Sequence, residues 1–469
     1  MNLVDFENFQ SPLSWRYGSE SMRKIFSEKY KYLVWRKIWV ALAKVQNRAG
    51  LVSKKELQDL IKNEKNINIS KILEIEKETK HDVVAAIKEF AQNAKIGGGK
   101  IHLGATSMDI VDNADMIRFS EALNLVDAKL VDLLKIITKM VTKYADMPCM
   151  GYTHLQPAEP TTVGYRLSFY AQDLFTDFQY LQFVKKQIAG KGMKGAVGTG
   201  ASYGSVLAGS KMDCGLLDKE VMSILGLNSA MISTQVYSRK LDYLIVSVLS
   251  SISSSCAKFA GDLRILQSPA FGEWSEPFGK KQVGSSAMPF KKNPITSEKI
   301  CSLARYVNQL PPVLLENATL SHLERTLDDS ANKRLILPEA FLALDEILKS
   351  THKIFSGLVI NEKKILENLE TYAPFAATEA VMMKAVKNGG NRQKLHEILR
   401  ETAMSAWQKT AEGLANPMKA KIMESKDLTK YLSKKEIESA FDVRHHIGDA
   451  PKRAKKLVEM IENWFIKSL

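Results

Sequence analysis

Proline placement constrains the fold of this 469-residue chain more than any other feature. No proline occurs between Pro12 and Pro148, or between Pro160 and Pro269. Because proline breaks the interior of a helix, such long proline-free spans favour long helices. In the second span, apolar residues recur every three or four positions and would form one helical face over about seven turns. These residues are Leu241, Ile245, Val248, Ile252, Cys256, Phe259, Leu263 and Leu266.

A helix of that length usually belongs to a bundle. Residues 112–147, 161–190 and 296–318 have similar patterns, and no series of short alternating strands appears. We therefore predict an all-α fold of three mostly helical domains. They are an N-terminal helical domain (1–107), a central long-helix bundle with the loop described below (108–360) and a C-terminal helical domain (361–469).

The formal net charge of +14 permits nucleic acid, an anionic membrane surface or an anionic small molecule as partner. Acidic residues interrupt the basic clusters, which argues against nucleic acid. Four cysteines without a C-x-x-C pair or metal-ligand spacing suggest a reducing compartment and no metal site. Residues 1–10 show no secretory signal, and no run of eighteen apolar residues predicts a membrane span.

Glycine and proline concentrate in four loops, at 93–107, 147–162, 189–205 and 268–294, where helices are predicted to meet. This distribution is typical of function carried by loops on a rigid frame. The third loop contains G-x-G-x-x-x-G, but no strand precedes it. We therefore exclude both a Rossmann fold and a phosphate-binding P-loop.

Two histidines are candidates for acid–base chemistry, because the histidine pKa lies near neutrality. His154 lies in the loop GYTHLQPAEPTT before a predicted helix, and His81 precedes Asp82 on another predicted helix. Each could equally be structural, His154 by bonding a carbonyl and His81 on a polar face.

Anion-binding candidates are also present. Thr106 and Ser107 lead into a helix whose free amides could hold a phosphate or carboxylate, although capping is a common alternative. Arg325 and Arg334 in LERTLDDSANKR could clamp such a group, or nearby aspartates could neutralise them.

The stretch GSSAMPFKKNP, residues 284–294, combines two serines, two lysines and a glycine entry. Ser285 could act as a base or nucleophile if a cation such as Lys291 is near and water is excluded. Asn293 followed by Pro294 predicts an N-cap whose helix directs its positive end toward the loop. We expect the loop to be mobile and to close over a substrate.

GSSAMPFKKNP resembles the G-S-S-x-M-P-x-K-x-N-P signature of the fumarase/aspartase superfamily, and GYTHLQPAEPTT and GATSMD resemble two further shared regions. The chain is similar to the adenylosuccinate lyase family over nearly its whole length, in SPLSWRYGSESM, KHDVVAAIKEF, STQVYSRKLD and ERTLDDSANKR. It departs at Lys80 and Lys299, where the branch that includes the animal enzyme has arginine. These lysines keep the positive charge of arginine but lack its planar guanidinium group, which can form two parallel hydrogen bonds to an anion.

The resemblance implies β-elimination of fumarate from adenylosuccinate, giving AMP, and from succinyl-aminoimidazole-carboxamide ribotide (SAICAR), giving AICAR. It implies Ser285 as base, His154 as acid, and Lys291 and Asn293 as stabilisers of the developing dianion. No metal or organic cofactor is implied. The implied substrate-binding residues are Arg16, Tyr17, Lys80, His81, Asp82, Thr106, Ser107, Thr153, Gln235, Met288, Lys299, Arg325, Ser330 and Arg334.

The resemblance further implies a cytoplasmic homotetramer with a twenty-helix core and active sites shared between subunits, acting in purine biosynthesis. Neither a nucleic acid nor a membrane is an expected partner. Two alternatives stay open on the sequence. One is another fumarate-releasing lyase such as argininosuccinate lyase, and the other is a basic helical nucleic-acid-binding protein, which leaves the signature loop unexplained.

Overall fold

The computed structural model describes residues 7–468 and is predominantly helical, which confirms the predicted all-α class. Residues 1–6, part of the stretch without a secretory signal, lie outside the described residues. The α-helices are α1 (Pro12–Trp15), α2 (Glu20–Ile25), α3 (Glu28–Arg48), α4 (Lys54–Asn63), α5 (Ile69–Thr79), α6 (Asp82–Asn93), α7 (Ser107–Lys143), α8 (Val163–Gln187), α9 (Ala201–Val206), α10 (Cys214–Leu225), α11 (Lys240–Gln267), α12 (Ile295–Val307), α13 (Pro311–Thr319), α14 (Ser330–Ser356), α15 (Glu362–Lys387), α16 (Arg392–Ala411), α17 (Met418–Glu424), α18 (Lys426–Thr429), α19 (Lys434–Ala440) and α20 (Ala450–Ser468). Short 3-10 helices cover Gly98–Lys100 and Val443–His445.

Within residues 7–468, four short strands form two antiparallel pairs. Strands β1 (Pro148–Thr153) and β2 (Gln156–Thr162) make a hairpin, and β3 (Trp274–Ser275) pairs with β4 (Val359–Ile360). The hairpin occupies the segment predicted as an irregular loop, so that part of the prediction is wrong. Pro148, Pro157 and Pro160 argue against paired strands in this segment, and for that reason the hairpin was missed.

The apolar stripe predicted on one long helix is confirmed in α11. All its members except Leu241 are buried. Within residues 7–468, α11 is also the one helix long and apolar enough to cross a membrane, whereas the sequence predicted no span. Half of its apolar window is buried inside the protein, and core helices of soluble proteins meet the same criterion.

Two of the three other predicted long helices are continuous. The spans 112–147 and 161–190 correspond to α7 and α8. The span 296–318 is wrong as a single helix, because α12 ends at Val307 and α13 begins at Pro311. Proline lacks an N–H and restricts the preceding residue, so Pro311 fits the first position of a new helix better than the interior of a long one.

The chain groups into two compact units. The first comprises residues 1–130, 177–254 and 302–349, and the second comprises 131–176, 255–301 and 350–469. The three-domain division stays a prediction. Its boundaries coincide with the start of α7 and the end of β4.

Each unit has its own apolar core. In the first, Trp39 of α3 lies edge-on to Trp35, with ring centroids 6.4 Å apart, and 6.1 Å from Phe90 of α6. In the second, α15 packs with the helices that follow it through buried residues that include Val381 and Leu399. These cores fix the helix ends from which the candidate site residues project.

Candidate active site

A cavity of about 890 Å³ lies in the first unit. Five separate stretches of sequence line it, from α3 to α14. Nine residues implied as substrate-binding are among its lining residues: Lys80, His81, Asp82, Thr106, Ser107, Gln235, Arg325, Ser330 and Arg334. The fold therefore gathers positions that are up to 254 residues apart in the sequence.

Lys80 and His81 form a break between α5 and α6, and not the continuous helix predicted for them. Lys80 caps the end of α5 in the left-handed conformation (φ 53°), and His81 is the extended N-cap of α6. The Nδ1 of His81 accepts from the Val84 amide at 3.5 Å and lies 3.6 Å from Oδ1 of Asp82. Because His81 is outside the helix, it approaches its neighbouring carboxylate as two adjacent helical residues would not.

The start of α7 is capped from within the chain. Oδ2 of Asp109 accepts from the Thr106 amide at 3.0 Å, and the Asp109 amide donates to the Thr106 carbonyl at 3.0 Å. Asp109 is fully buried, pairs with Lys191 and accepts from the Tyr203 hydroxyl at 2.9 Å. The capping alternative therefore accounts for this amide, while Thr106 and Ser107 both line the cavity.

A buried ion network holds Arg325. Its Nη1 lies 3.2 Å from Oδ1 of Asp329, whose Oδ2 accepts from Nε of Arg239 at 2.6 Å. Arg239 also binds both oxygens of Asp112 at 3.2 Å. Arg239 and Asp329 are each 3% exposed, so neither charge is well solvated without the other. The network orients Arg325 before any ligand binds.

Lys333 forms a second network behind the same wall. Its Nζ donates to the Tyr237 hydroxyl at 2.6 Å and lies 3.1 Å from Oδ2 of Asp115. The Tyr237 hydroxyl donates to Asp242 at 2.6 Å. Burial raises the pKa of both Tyr237 and Asp242 above their usual ranges. These groups hold α11 and α14 together below the cavity.

The cavity wall contains both charge signs. Its cations are Lys31, Lys80, Arg118, Arg239, Arg325, Lys333 and Arg334, and its carboxylates are Glu28, Glu76, Asp82, Asp112, Asp115 and Asp329. Most of these cations have carboxylate partners, but within residues 7–468 Lys80 forms no ion pair. The sequence analysis missed Lys31, Arg118 and Arg239 as lining residues. Arg239 lies in the quoted stretch STQVYSRKLD, four residues after Gln235, and this proximity is the signal that could have identified it. No group of three or more potential metal ligands occurs in the part of the chain that the structure describes.

Arg16 and Tyr17 belong to the first unit but do not line this cavity. Arg16 caps the end of α1, with its guanidinium 5.6 Å from the Trp15 ring centroid. The remaining predicted residues belong to the second unit: Thr153, His154, Ser285, Met288, Lys291, Asn293 and Lys299.

The signature loop, residues 284–294, is exposed over 286–292 and closed at its base, and Ser285 is partly buried. Nδ2 of Asn293 donates to the Gly284 carbonyl at 2.9 Å. A Cβ on Gly284 would lie 2.0 Å from the Lys291 carbonyl oxygen, so only glycine allows this approach. Inside the loop, Oγ of Ser285 accepts from the Met288 amide at 3.1 Å. Lys291 and Met288 are exposed.

The predicted cap of the following helix is wrong. Helix α12 begins at Ile295, and Glu276 caps it by accepting from the Thr296 and Ser297 amides at 3.1 and 3.0 Å. Asn293 instead uses its side chain on Gly284. The positive end of α12 is therefore neutralised by a buried carboxylate, and is not an open anion site.

His154 occupies the tip of the β1–β2 hairpin. Thr153 pairs with Gln156, which leaves His154 and Leu155 as a two-residue turn. Both have left-handed backbones, with φ of 53° and 60°. Such turns usually contain asparagine and glycine, so this one imposes strain on two ordinary L residues. All of Thr153–Gln156 is exposed.

Comparisons with known proteins identify two matching families and many similar relatives. The family described as Lyase matches residues 16–308, and the family described as Adenylosuccinate lyase C-terminus matches residues 374–457. Adenylosuccinate lyase of Saccharomyces cerevisiae is 34% identical, over 97% of this chain and 95% of its own length. The Pyrococcus horikoshii enzyme of that name is 36% identical, over 96% and 98%.

Solved structures share the fold. The 3-carboxy-cis,cis-muconate lactonizing enzyme of Pseudomonas putida superposes with a TM-score of 0.86 at 23% identity, over 97% of this chain and all of that one. A fumarate lyase from Mesorhizobium sp. BNC1 gives 0.82 at 22% identity, over 94% and 98%. The curated relatives match nearly the whole chain at more than 30% identity, and this match is sufficient to assign the chain to their family. The chain belongs to the adenylosuccinate lyase family.

Proposed function

We propose that the protein is a C–N lyase that releases fumarate from adenylosuccinate, giving AMP, and from SAICAR, giving AICAR. The observation that carries the proposal is the cavity of the first unit, which is lined by nine residues that the family resemblance implies for substrate binding. The family membership gives those residues their expected roles.

The reaction breaks a C–N bond after a proton leaves the carbon next to a carboxylate. In our proposal Ser285 removes that proton, and negative charge builds up on the carboxylate as an aci-carboxylate. Lys291 and Asn293 stabilise this charge. His154 gives a proton to the departing nitrogen, so that the amine leaves neutral. Acid and base lie on separate elements, which allows them to act from opposite sides of the bond.

The exposed state of the signature loop supports a closing step. A serine hydroxyl in open water stays protonated, and here Oγ of Ser285 already accepts an amide hydrogen bond from Met288. That bond stabilises an oxyanion more than a neutral hydroxyl. Closure of the loop over substrate would expel water and bring the Lys291 ammonium close to Ser285.

The remaining implied residues would bind the phosphate, succinyl and purine groups. In the free chain, Asp329 and Asp82 compensate Arg325 and Arg334. Lys80 has no such partner within the described residues and is therefore the cavity cation most available to an anionic substrate. The chain's net charge of +14 would raise the encounter rate with a substrate that carries a phosphate and two carboxylates.

Assembly and location are part of the same proposal. We propose a cytoplasmic homotetramer in which Ser285 and His154 of one site come from different subunits. Under subunit exchange, an inactive Ser285→Ala variant and an inactive His154→Gln variant should then restore part of the activity. Persistent inactivity despite demonstrated exchange would place both residues of each site on one chain.

The direct test is fumarate release by the purified protein, with adenylosuccinate and SAICAR as substrates and argininosuccinate as the matched control. We expect fumarate in amounts equal to AMP or AICAR, and none from argininosuccinate. Fumarate release from argininosuccinate alone would support the alternative that the protein is another lyase of the superfamily, such as argininosuccinate lyase. Steeply salt-dependent binding of nucleic acid, without any fumarate release, would favour the alternative of a basic helical nucleic-acid-binding protein.

A further inference from the structure

Two buried carboxylates lie three residues apart in the second unit, on either side of the two-residue strand β3. Glu273 is fully buried and Glu276 is 3% exposed. In an extended backbone, side chains three positions apart project to opposite sides. The pair can therefore bind two different elements, and neither glutamate has a part in the chemistry described above.

Glu273 binds the root of the hairpin that carries His154. Its Oε1 accepts from the Tyr152 hydroxyl at 3.0 Å, and its Oε2 pairs with Nη1 of Arg166 at 2.8 Å. Arg166 also donates to the carbonyl of Met150. Two positions on β1 are thus tied to one buried ion pair.

The hairpin needs attachment to the rest of the unit, because its own structure is weak; besides the bonds to Glu273, Met150 and Tyr152 pack against Leu369 and Ala373 of α15. It has two strands, and a two-stranded hairpin is marginal by itself. Pro157 and Pro160 in β2 supply no N–H to the ladder, and the register shifts between Met150 and Tyr152. His154 lies two residues beyond Tyr152, at the turn that follows β1. The position of its imidazole therefore follows from the position of Tyr152.

Glu276 binds the first turn of α12, which directly follows the signature loop. Its two oxygens accept from the amides of Thr296 and Ser297, and the Ser297 hydroxyl donates to it at 3.0 Å. The amide of Glu276 donates to Oε1 of Gln267, whose Nε2 donates to the Lys292 carbonyl at 3.0 Å. Both the last residues of the loop and the first turn of α12 are therefore fixed to this segment.

We propose that residues 273–276 are a shared anchor for the catalytic elements of the chain. Glu273 positions the hairpin that presents His154, and Glu276 positions the loop that presents Ser285. Both glutamates are positioning residues and contact no substrate. The inference rests on the proposed function for its activity readouts, but its hydrogen-exchange and stability readouts do not depend on that function.

The hairpin half is tested with Tyr152→Phe against Asn368→Leu. Nδ2 of Asn368 donates to the same Oε1 of Glu273 at 3.1 Å, but Asn368 lies on α15 and not on the hairpin. Each change removes one donor from Oε1 of Glu273, and Asn368→Leu also removes the bond from Nδ2 to the Phe271 carbonyl at 2.9 Å. Asn368→Leu should therefore lower Tm at least as much as Tyr152→Phe. We expect kcat to fall roughly tenfold or more in Tyr152→Phe alone, with KM within about twofold, because transition-state interactions are lost. Amide exchange in residues 150–160 should become faster in that variant only.

The loop half is tested with Glu276→Gln against Ser297→Ala. The first change removes the charge that caps α12, whereas the second removes only the serine hydroxyl and leaves both capped amides. We expect kcat to fall in Glu276→Gln because proton removal becomes slower. For the same reason, the primary isotope effect on kcat should increase with substrate deuterated at the succinyl carbon that loses the proton. Ser297→Ala should keep kcat within about twofold, and Tyr152→Phe should show no increase in the isotope effect.

The proposal for Glu273 would be overturned if Tyr152→Phe and Asn368→Leu lost kcat equally. It would also be overturned if amide exchange in residues 150–160 were unchanged in Tyr152→Phe. Either result would mean that Glu273 only stabilises the fold. An unchanged isotope effect in Glu276→Gln would overturn the other half. Failure of the proposed function is a different result, since the wild-type protein would then release no fumarate at all.

Discussion

The cavity of the first unit and the signature loop of the second differ in how their functional side chains are held. In the cavity, Arg325 is fixed by Asp329, which Arg239 holds in turn, and all three belong to a network that is largely buried. In the loop, Lys291 is exposed and Ser285 is partly buried, and the segment is fastened at its ends. In the proposed function, this difference means that the recognition surface is built in advance and that the base is completed by closure of the loop.

The largest effect should come from the loop. Ser285→Ala should abolish fumarate release while leaving substrate binding within about tenfold, because the hydroxyl acts mainly in the transition state. Ser286→Ala is the matched control and should be milder. Turnover and calorimetric binding measure the two effects. An active Ser285→Ala enzyme with a dead Ser286→Ala enzyme would identify the second serine as the base, and activity in both would limit the loop to binding.

The hairpin should give the next largest effect. His154→Gln should lower kcat by roughly 10²-fold or more, the usual contribution of a general acid. Its Tm should change little because the side chain is exposed at the turn. His396→Gln, at an exposed position on α16, controls for the loss of a histidine. A near-normal kcat would shift the assignment of the acid to His81.

Changes in the cavity should act on binding more than on turnover. Asp329→Asn leaves Arg239 with Asp112 alone and frees Arg325 from its buried partner. We expect KM to rise about tenfold and the free energy of unfolding to fall by about 3 kcal/mol, as when a buried ion pair loses one partner. Steady-state kinetics and urea unfolding measure these changes. A fall in kcat with an unchanged KM would contradict a prebuilt recognition surface.

The smallest effect concerns pH and the first unit. Burial lowers the pKa of His102 to about 4, and Trp39 Nε1 donates to its Nδ1 at 3.0 Å. Because this pKa is below the unfolded value of about 6.5, the unfolded chain binds the extra proton first, and stability falls as pH falls from about 6.5 to 4. The loss should approach roughly 3 kcal/mol. His102→Gln should flatten Tm against pH in this range relative to His396→Gln, and an unchanged slope would exclude His102 as the source.

The contrast between cavity and loop also explains what the sequence could predict. The α11 stripe was predictable because the apolar residues that form one face of a long helix recur every three or four positions in the sequence. The motif residues of the loop were predictable because they are contiguous. The ion network of Arg239, Asp112 and Asp329 was not, since its members are 217 residues apart at the extremes and meet only through tertiary packing.

Unusual backbone geometry explains a second group of features that the sequence did not predict. The left-handed residues Lys80, His154 and Leu155 carry no glycine or asparagine signal, so a helix break and a tight turn were both missed. The cap of α12 was misassigned for a related reason. Asn293 is a good capping residue, but Glu276 reaches the same amides from outside the local sequence.

The membrane-like composition of α11 has a consequence for the protein's synthesis. Tyr170 and Asp177 of α8 bond to Asp262 and Ser251 of α11, so α8 is one of the surfaces that cover this helix. The chain is made from its N-terminus, and α8 therefore leaves the ribosome before α11 does. This long apolar helix therefore emerges when a partner is already available, and a circular permutation that reversed this order would leave its apolar face uncovered for longer and favour aggregation.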